Sequence, residues 1–107
     1  MTDTAEVEDY ERRKDIHRRQ VVAAGPEAEA IFAADKLNNV RALRAAYEVE
    51  GEQVAKRFKQ PLDVKLRVWV ADSAMVGQQA PGLPYAQALE DEIAGLRADR
   101  HRSGSGG

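Results

Sequence analysis

Cysteine is absent from this chain of 107 residues. Disulfides and thiolate metal sites are therefore excluded, and a reducing compartment such as the cytoplasm fits. Long hydrophobic runs are absent too. No stretch reaches the roughly 18 apolar residues that cross a bilayer, so a soluble chain with no membrane partner is expected. The opening, Met1 to Glu6, is acidic and lacks the pattern of a secretory signal. Neither sign of charge dominates: 16 Lys and Arg face 18 Asp and Glu, for a net charge of −2, which argues against broad nucleic-acid binding. A Gly-rich phosphate loop, a Gly-x-Ser-x-Gly elbow and a Cys–His pair are all missing. Nucleophilic catalysis and the common nucleotide-binding folds thus have no support. Polar and apolar residues seldom alternate, which removes half-buried strands.

What is present is helical periodicity from end to end. It predicts an all-α fold, a small bundle of about five helices in a single domain over residues 1–100. A chain of this size buries roughly 60–70% of its unfolded surface, enough for a core without much reserve. Thr2 and Asp3 offer N-cap oxygens, and Asp3-x-x-Glu6 resembles a capping box. The first helix is expected over Thr4–Ala24, with only Val7, Tyr10 and Val21 as a thin apolar stripe and acid-before-base pairs such as Asp15–Arg19 on its surface. It should pack loosely or fray at its start. Gly25-Pro26 ends it and opens the second, Pro26–Glu50, in which Ile31, Ala34, Leu37, Val40, Leu43 and Tyr47 stand at helical spacing. Its many alanines allow close approach by neighbours, which suits a central helix. Gly51 breaks it; a short helix over Glu52–Lys59 follows, then a fourth over Pro61–Val76 with Leu62, Leu66, Trp69, Ser73 and Val76 in one stripe. The lone Trp, Trp69, is the expected packing anchor. Pro81-Gly82-Leu83-Pro84 marks a loop. A fifth helix, Tyr85–Arg100, should bury Tyr85, Leu89, Ile93 and Leu96, and residues 101–107 read as a disordered Ser/Gly tail.

The chemistry-bearing stretch is residues 33–43, Ala33-Ala34-Asp35-Lys36-Leu37-Asn38-Asn39-Val40-Arg41-Ala42-Leu43. Asp35 and Asn39 stand four apart in an apolar helical run, which places both on one helix face. A carboxylate facing a core needs a partner; a metal ion, a cation or a ligand would each serve, and a solvated face is the alternative. Lys36, Arg41 and Arg44 nearby could meet phosphate or be solvated. Lys14, His17 and Arg18 form a basic patch on the first helix. An imidazole such as that of His17 can serve as a ligand or acid/base group, and a lone helical His is more often a surface or packing residue.

The run Ala-Asp-Lys-Leu-x-Asn-x-Arg at residues 34–41 resembles the last metal-ligand motif of HD-domain metal-dependent phosphohydrolases. The closest branch is the one similar to guanosine tetra- and pentaphosphate hydrolases. Glu11-Arg12-Arg13-Lys14 lies upstream as such a run often does in that family; Gly51–Phe58 looks like its following short helix, and Leu66-Arg67-Val68-Trp69 falls where an aromatic-bearing helix comes next. The resemblance spans residues 8–97 and takes the chain as the C-terminal half of an HD domain. It implies a hydrolase with manganese or another divalent metal as cofactor and a guanine nucleotide as ligand. Asp35 would be a metal ligand, and Asn39, Lys36, Arg41 and Lys14 substrate contacts. The two His, His17 and His101, are each followed by Arg rather than Asp, so the His and His-Asp ligands are missing. A catalytic metal site needs several protein ligands plus an open position, and the implied activity of the isolated chain is none.

Two other readings start from the same residues. A half-domain would expose the inner faces of its second and fourth helices, and a second copy or a protein partner could cover them in a non-catalytic interaction module. A partner chain could instead supply the missing metal ligands.

Overall fold

The computed structural model describes residues 4–105, with side chains through Arg102. Four α-helices follow one another: α1 (Thr4–Ala24), α2 (Pro26–Glu50), α3 (Leu62–Gln79) and α4 (Pro84–Ser105), with a 3-10 segment over Gly51–Arg57 between α2 and α3. No strand occurs among the described residues. The capping box expected at Asp3 lies outside them, as does the Gly106-Gly107 end of the tail.

Glycines set the two ends of α2. Gly25 lies at φ 104°, ψ −176°, a region open in practice to glycine alone. This lets the chain turn sharply between α1 and α2, with Pro26 in the first turn where its missing N–H is harmless. Gly51 lies at φ 62° and its N–H caps the Tyr47 carbonyl. The short helix expected over Glu52–Lys59 is a 3-10 segment instead. It is confined between Gly51 and Pro61, too short to repay helix nucleation, and Phe58 is already extended at φ −118°, ψ 149°. The last helix runs to Ser105, past the Arg100 at which the sequence pattern ends it.

The core is built on α2. Leu37, Val40, Leu43 and Tyr47 pack with Val54 of the 3-10 segment, Leu62, Leu66 and Trp69 of α3, and Leu89, Ile93 and Leu96 of α4. Trp69 is buried there, as its packing role requires. A smaller cluster joins Val21, Phe32, Ala33, Val76 and Ala86 at the other end. The inner faces of α2 and α3 are therefore covered within the chain, chiefly by α4, rather than left bare for a second copy. Two expected core residues lie elsewhere: Ile31 is 68% and Tyr85 45% exposed. Ile31 stands two residues before Ala33, about 200° around the helix, and so faces away from the stripe that starts at Phe32 and Ala33. The Cα trace measures 18 Å in its thinnest dimension.

Charged locks supplement this thin core. On the α2–α4 seam, Arg44 Nε donates to Asp99 Oδ2 at 2.9 Å and Nη1 reaches Glu92 Oε1 at 3.4 Å. Its guanidinium lies against Gly95 so closely that a Cβ there would collide with it. Arg100 forks onto Glu52 at 2.8 and 2.9 Å and reaches Asp63 at 2.8 Å, joining α4, the 3-10 segment and α3. These hydrogen bonds hold the Glu52 carboxyl below its usual range, against the opposing effect of burial and with help from the Tyr47 hydroxyl. By contrast α1 buries one residue, Val21.

Two outcomes follow from this packing. Replacing Gly95 by Ala in a helix interior ordinarily stabilises by up to about 1 kcal/mol; here the displaced Arg44 should cancel most of that gain. In an Arg44→Ala background the full gain should return, which urea denaturation of the four chains of a double-mutant cycle would measure. In native-state hydrogen exchange, amides of residues 8–13 in α1 should exchange far faster than those of Val40–Tyr47 in α2, because so little apolar area holds the first helix.

Candidate functional site

A cavity of about 350 Å³ opens where α1, α2 and α3 meet. α1 contributes Tyr10 and Lys14, one turn apart. α2 contributes Lys36, Asn39 and Leu43, which share a face at three- and four-residue steps. α3 contributes Lys65, Trp69 and Asp72 by the same spacing, and Phe58 closes the wall. Helix periodicity thus aims three lysines from three helices into one space.

The lysines are held by aromatic faces. Lys65 Nζ sits 4.7 Å from the Phe58 ring centre and 5.4 Å from that of Trp69. Lys14 Nζ lies 5.4 Å over Tyr10, and Lys36 Nζ 5.1 Å over Phe32. Lys36 also has Asp35 Oδ2 at 3.5 Å. Lys14 and Lys65 have no carboxylate within 4 Å among the described residues, whereas nine arginines do. Arginine serves the locks in this chain and lysine the cavity. Burial, together with the like charges of Lys14 and Lys36, lowers the Lys65 amine below its usual range.

Asp72 is 2% exposed. Arg18 Nη1 of α1 donates to its Oδ1 at 2.8 Å, and its Oδ2 is buried without a hydrogen-bond partner. Burial pushes this carboxyl above its usual range, against the Arg18 hydrogen bond and the charges of Arg18, Lys36 and Lys14. Tyr10 is raised as well, by burial first and then by Asp72, with Arg13 opposing. An orphaned buried oxygen is costly; it marks a place where a donor from outside the chain would be welcome.

The residues expected to carry chemistry separate into two groups. Lys14, Lys36 and Asn39 do come together, at this cavity. Arg41 does not: it points to Glu92 of α4 at 3.9 Å. Asp35 is turned outward, with 62% of its side chain exposed, accepting a long 3.4 Å hydrogen bond from Asn39 Nδ2. The physical reason is angular. Asp35 stands two residues from both Ala33 and Leu37, about 200° from each, so it lies opposite the buried stripe. Asp35 and Asn39 do share a face, but its outer half is solvent. Among the described residues no three His, Cys, Asp or Glu side chains are placed to hold a metal ion, and the cation nearest Asp35 is Lys36. This donor set does not fit a divalent metal. His17 is exposed, its ring 5.7 Å from that of Phe32; Arg18 of the same patch is committed to Asp72. Lys65 and Asp72 were not singled out by sequence, and Tyr10 only as part of the apolar stripe of the first helix. Their only signal is that Lys65 and Asp72 fall on the edges of the α3 apolar stripe, each beside a core residue.

No family model matches the chain, and no curated protein or solved structure resembles it significantly.

The Arg18–Asp72 pair gives a pH test. Truncating one partner of a buried pair costs about 3–5 kcal/mol, so Arg18→Met should destabilise by about 3 kcal/mol at neutral pH. Asp72 binds its proton more tightly when folded, so its unfavourable contribution grows as pH rises through the folded value, and loss of Arg18 raises that value further. The deficit of Arg18→Met should therefore shrink as pH falls from neutral towards the range where Asp72 protonates, which denaturation midpoints across pH would report.

Proposed function

We propose that this chain is a helical binding module for a small phosphate-bearing ligand, seated in the cavity between α1, α2 and α3. The observation that carries this reading is the convergence of Lys14, Lys36 and Lys65 with Asp72 around one half-open cavity. Three ammonium groups favour an anion, and in a low-dielectric site each is worth more than at the surface. Asp72 adds selectivity. When ionised, its carboxylate can only accept, so it repels an anion stripped of protons and welcomes one that keeps an O–H. Monohydrogen phosphate and phosphate monoesters in their protonated form satisfy both demands; sulfate, of the same shape, satisfies only the first.

The size of the cavity suits a small metabolite. The Phe58 and Trp69 faces on the cavity wall are taken up by Lys65, which disfavours stacking of a guanine base there. Of the roles implied by the HD-domain resemblance, the reading keeps the phosphate contacts of Lys14, Lys36 and Asn39. It routes no step through a metal, since Asp35 has no set of companion ligands, and it stops at binding rather than hydrolysis.

Calorimetric titration at constant ionic strength tests it. Inorganic phosphate should bind with a Kd below about 1 mM, and sulfate at least tenfold more weakly, by roughly the 1.4 kcal/mol that a hydrogen bond to a charged group supplies. Lys14→Gln and Lys36→Gln should each weaken phosphate about tenfold, while Lys56→Gln, on the exposed 3-10 segment, should change nothing. The absence of saturable heat with phosphate, or an equal response to Lys56→Gln, would sink the proposal.

A further inference from the structure

We propose that Lys65 is a nucleophilic amine that captures phosphorylated aldehydes or ketones as an imine while Lys14 and Lys36 hold the phosphate. This rests on the phosphate-binding reading and adds a reaction to it. Three observations single out Lys65. It lines the same cavity as the other two lysines. It has no carboxylate within 4 Å among the described residues, whereas Lys36 has Asp35 at 3.5 Å. It also lies half-buried against Phe58 and Trp69, with Lys14 and Lys36 as like-charged neighbours. Desolvation and adjacent cations are the two devices that free a lysine amine for attack on a carbonyl. The aromatic faces favour the ammonium, and the balance of burial and like charge runs the other way.

The step balances within the ligand, the chain and water. The neutral Lys65 amine donates its lone pair to the carbonyl carbon, a C–N bond forms, and the C=O π pair moves to oxygen, which takes up a proton. Nitrogen releases one proton. A second proton, drawn from water through Tyr10 and replacing the one Lys65 shed on becoming neutral, converts the hydroxyl to water, which leaves as the nitrogen lone pair closes the C=N bond, giving a protonated imine. No electron is gained or lost overall, and no oxidant is needed. The cationic imine would share the cavity with Asp72, whose carboxylate is a counter-charge and a proton acceptor at the stage where nitrogen must lose a proton. Tyr10 of α1, also on the cavity wall, is the remaining group able to pass a proton.

The test is reductive trapping on the full chain. Pyridoxal 5′-phosphate is the probe, because its imine absorbs in the visible and borohydride fixes it for peptide mapping. At limiting probe, Lys65 should be labelled with a preference of roughly tenfold over the exposed Lys56 and Lys59, the scale on which burial and local charge separate one amine from another. Inorganic phosphate should suppress that labelling, and pyridoxal without its phosphate should lose the preference. Lys65→Arg keeps the charge and removes the nucleophile: it should still bind phosphate while the imine absorbance at this position disappears. Label spread evenly over Lys56, Lys59 and Lys65, or falling chiefly on Lys14, would overturn the proposal, and this mapping on the native chain needs no variant to fold. Phosphate binding without trapping at Lys65 would defeat the imine alone. Failure of phosphate both to bind and to compete would remove the reading beneath it.

Discussion

The ion pair between Arg18 and Asp72 is the constraint on which the arrangement of this molecule rests. The first helix is too polar to dock by hydrophobic burial, with Val21 its one buried residue. What fixes its register on α3 is a guanidinium meeting a carboxylate that water does not reach. A second, exposed contact from Glu11 to Arg67 at 2.9 Å adds little, since surface pairs contribute about 0–1 kcal/mol. Because Asp72 is buried, leaving it unpaired is far more costly than any surface charge, so the pair specifies a position even where its net contribution to stability is small.

With α1 pinned in this way, the cavity becomes a consequence of periodicity. Lys14 stands one turn before Arg18, and Lys65 two turns before Asp72, so the pair that aligns the helices also sets both residues on the wall of one cavity. Lys36 arrives from α2 on the turn that precedes Val40. Like charges gathered around one cavity are unfavourable, and Asp72 together with the aromatic rings of Tyr10, Phe32, Phe58 and Trp69 softens this without neutralising it. Such an arrangement departs from local stability rules, which is where binding sites tend to lie.

Much of the architecture was legible in the sequence because its punctuation is strong. Gly25-Pro26 and Gly51 fix the ends of α1 and α2, and the stripe through Leu62, Leu66, Trp69 and Val76 orients α3. The direction of Asp35 was not legible, for a physical reason. Ala33, Ala34, Ala42, Ala45 and Ala46 surround α2 with small apolar groups, and alanine is equally at home inside or out, so the stripe can be drawn on more than one side. Asp72 was hidden by the opposite difficulty: a carboxylate beside a clean apolar stripe reads as its solvent edge unless the partner on another helix is known. Lys14 on α1 and Lys36 and Asn39 on α2 were grouped only as the substrate contacts that the resemblance implies, and their meeting place depends on the docking of α1, which no period within a single helix encodes.

The weak attachment of α1 couples occupancy to architecture. One wall of the cavity belongs to a helix held by little apolar area, and the other two belong to the stable body. Any molecule that bridges Lys14 to Lys36 and Lys65 must draw on the docked population alone, so its apparent affinity is scaled by the fraction of chains in which α1 is seated. By mass action the same molecule draws the helix down. Ligand capture and closure of the first helix are in this sense one equilibrium seen from two sides.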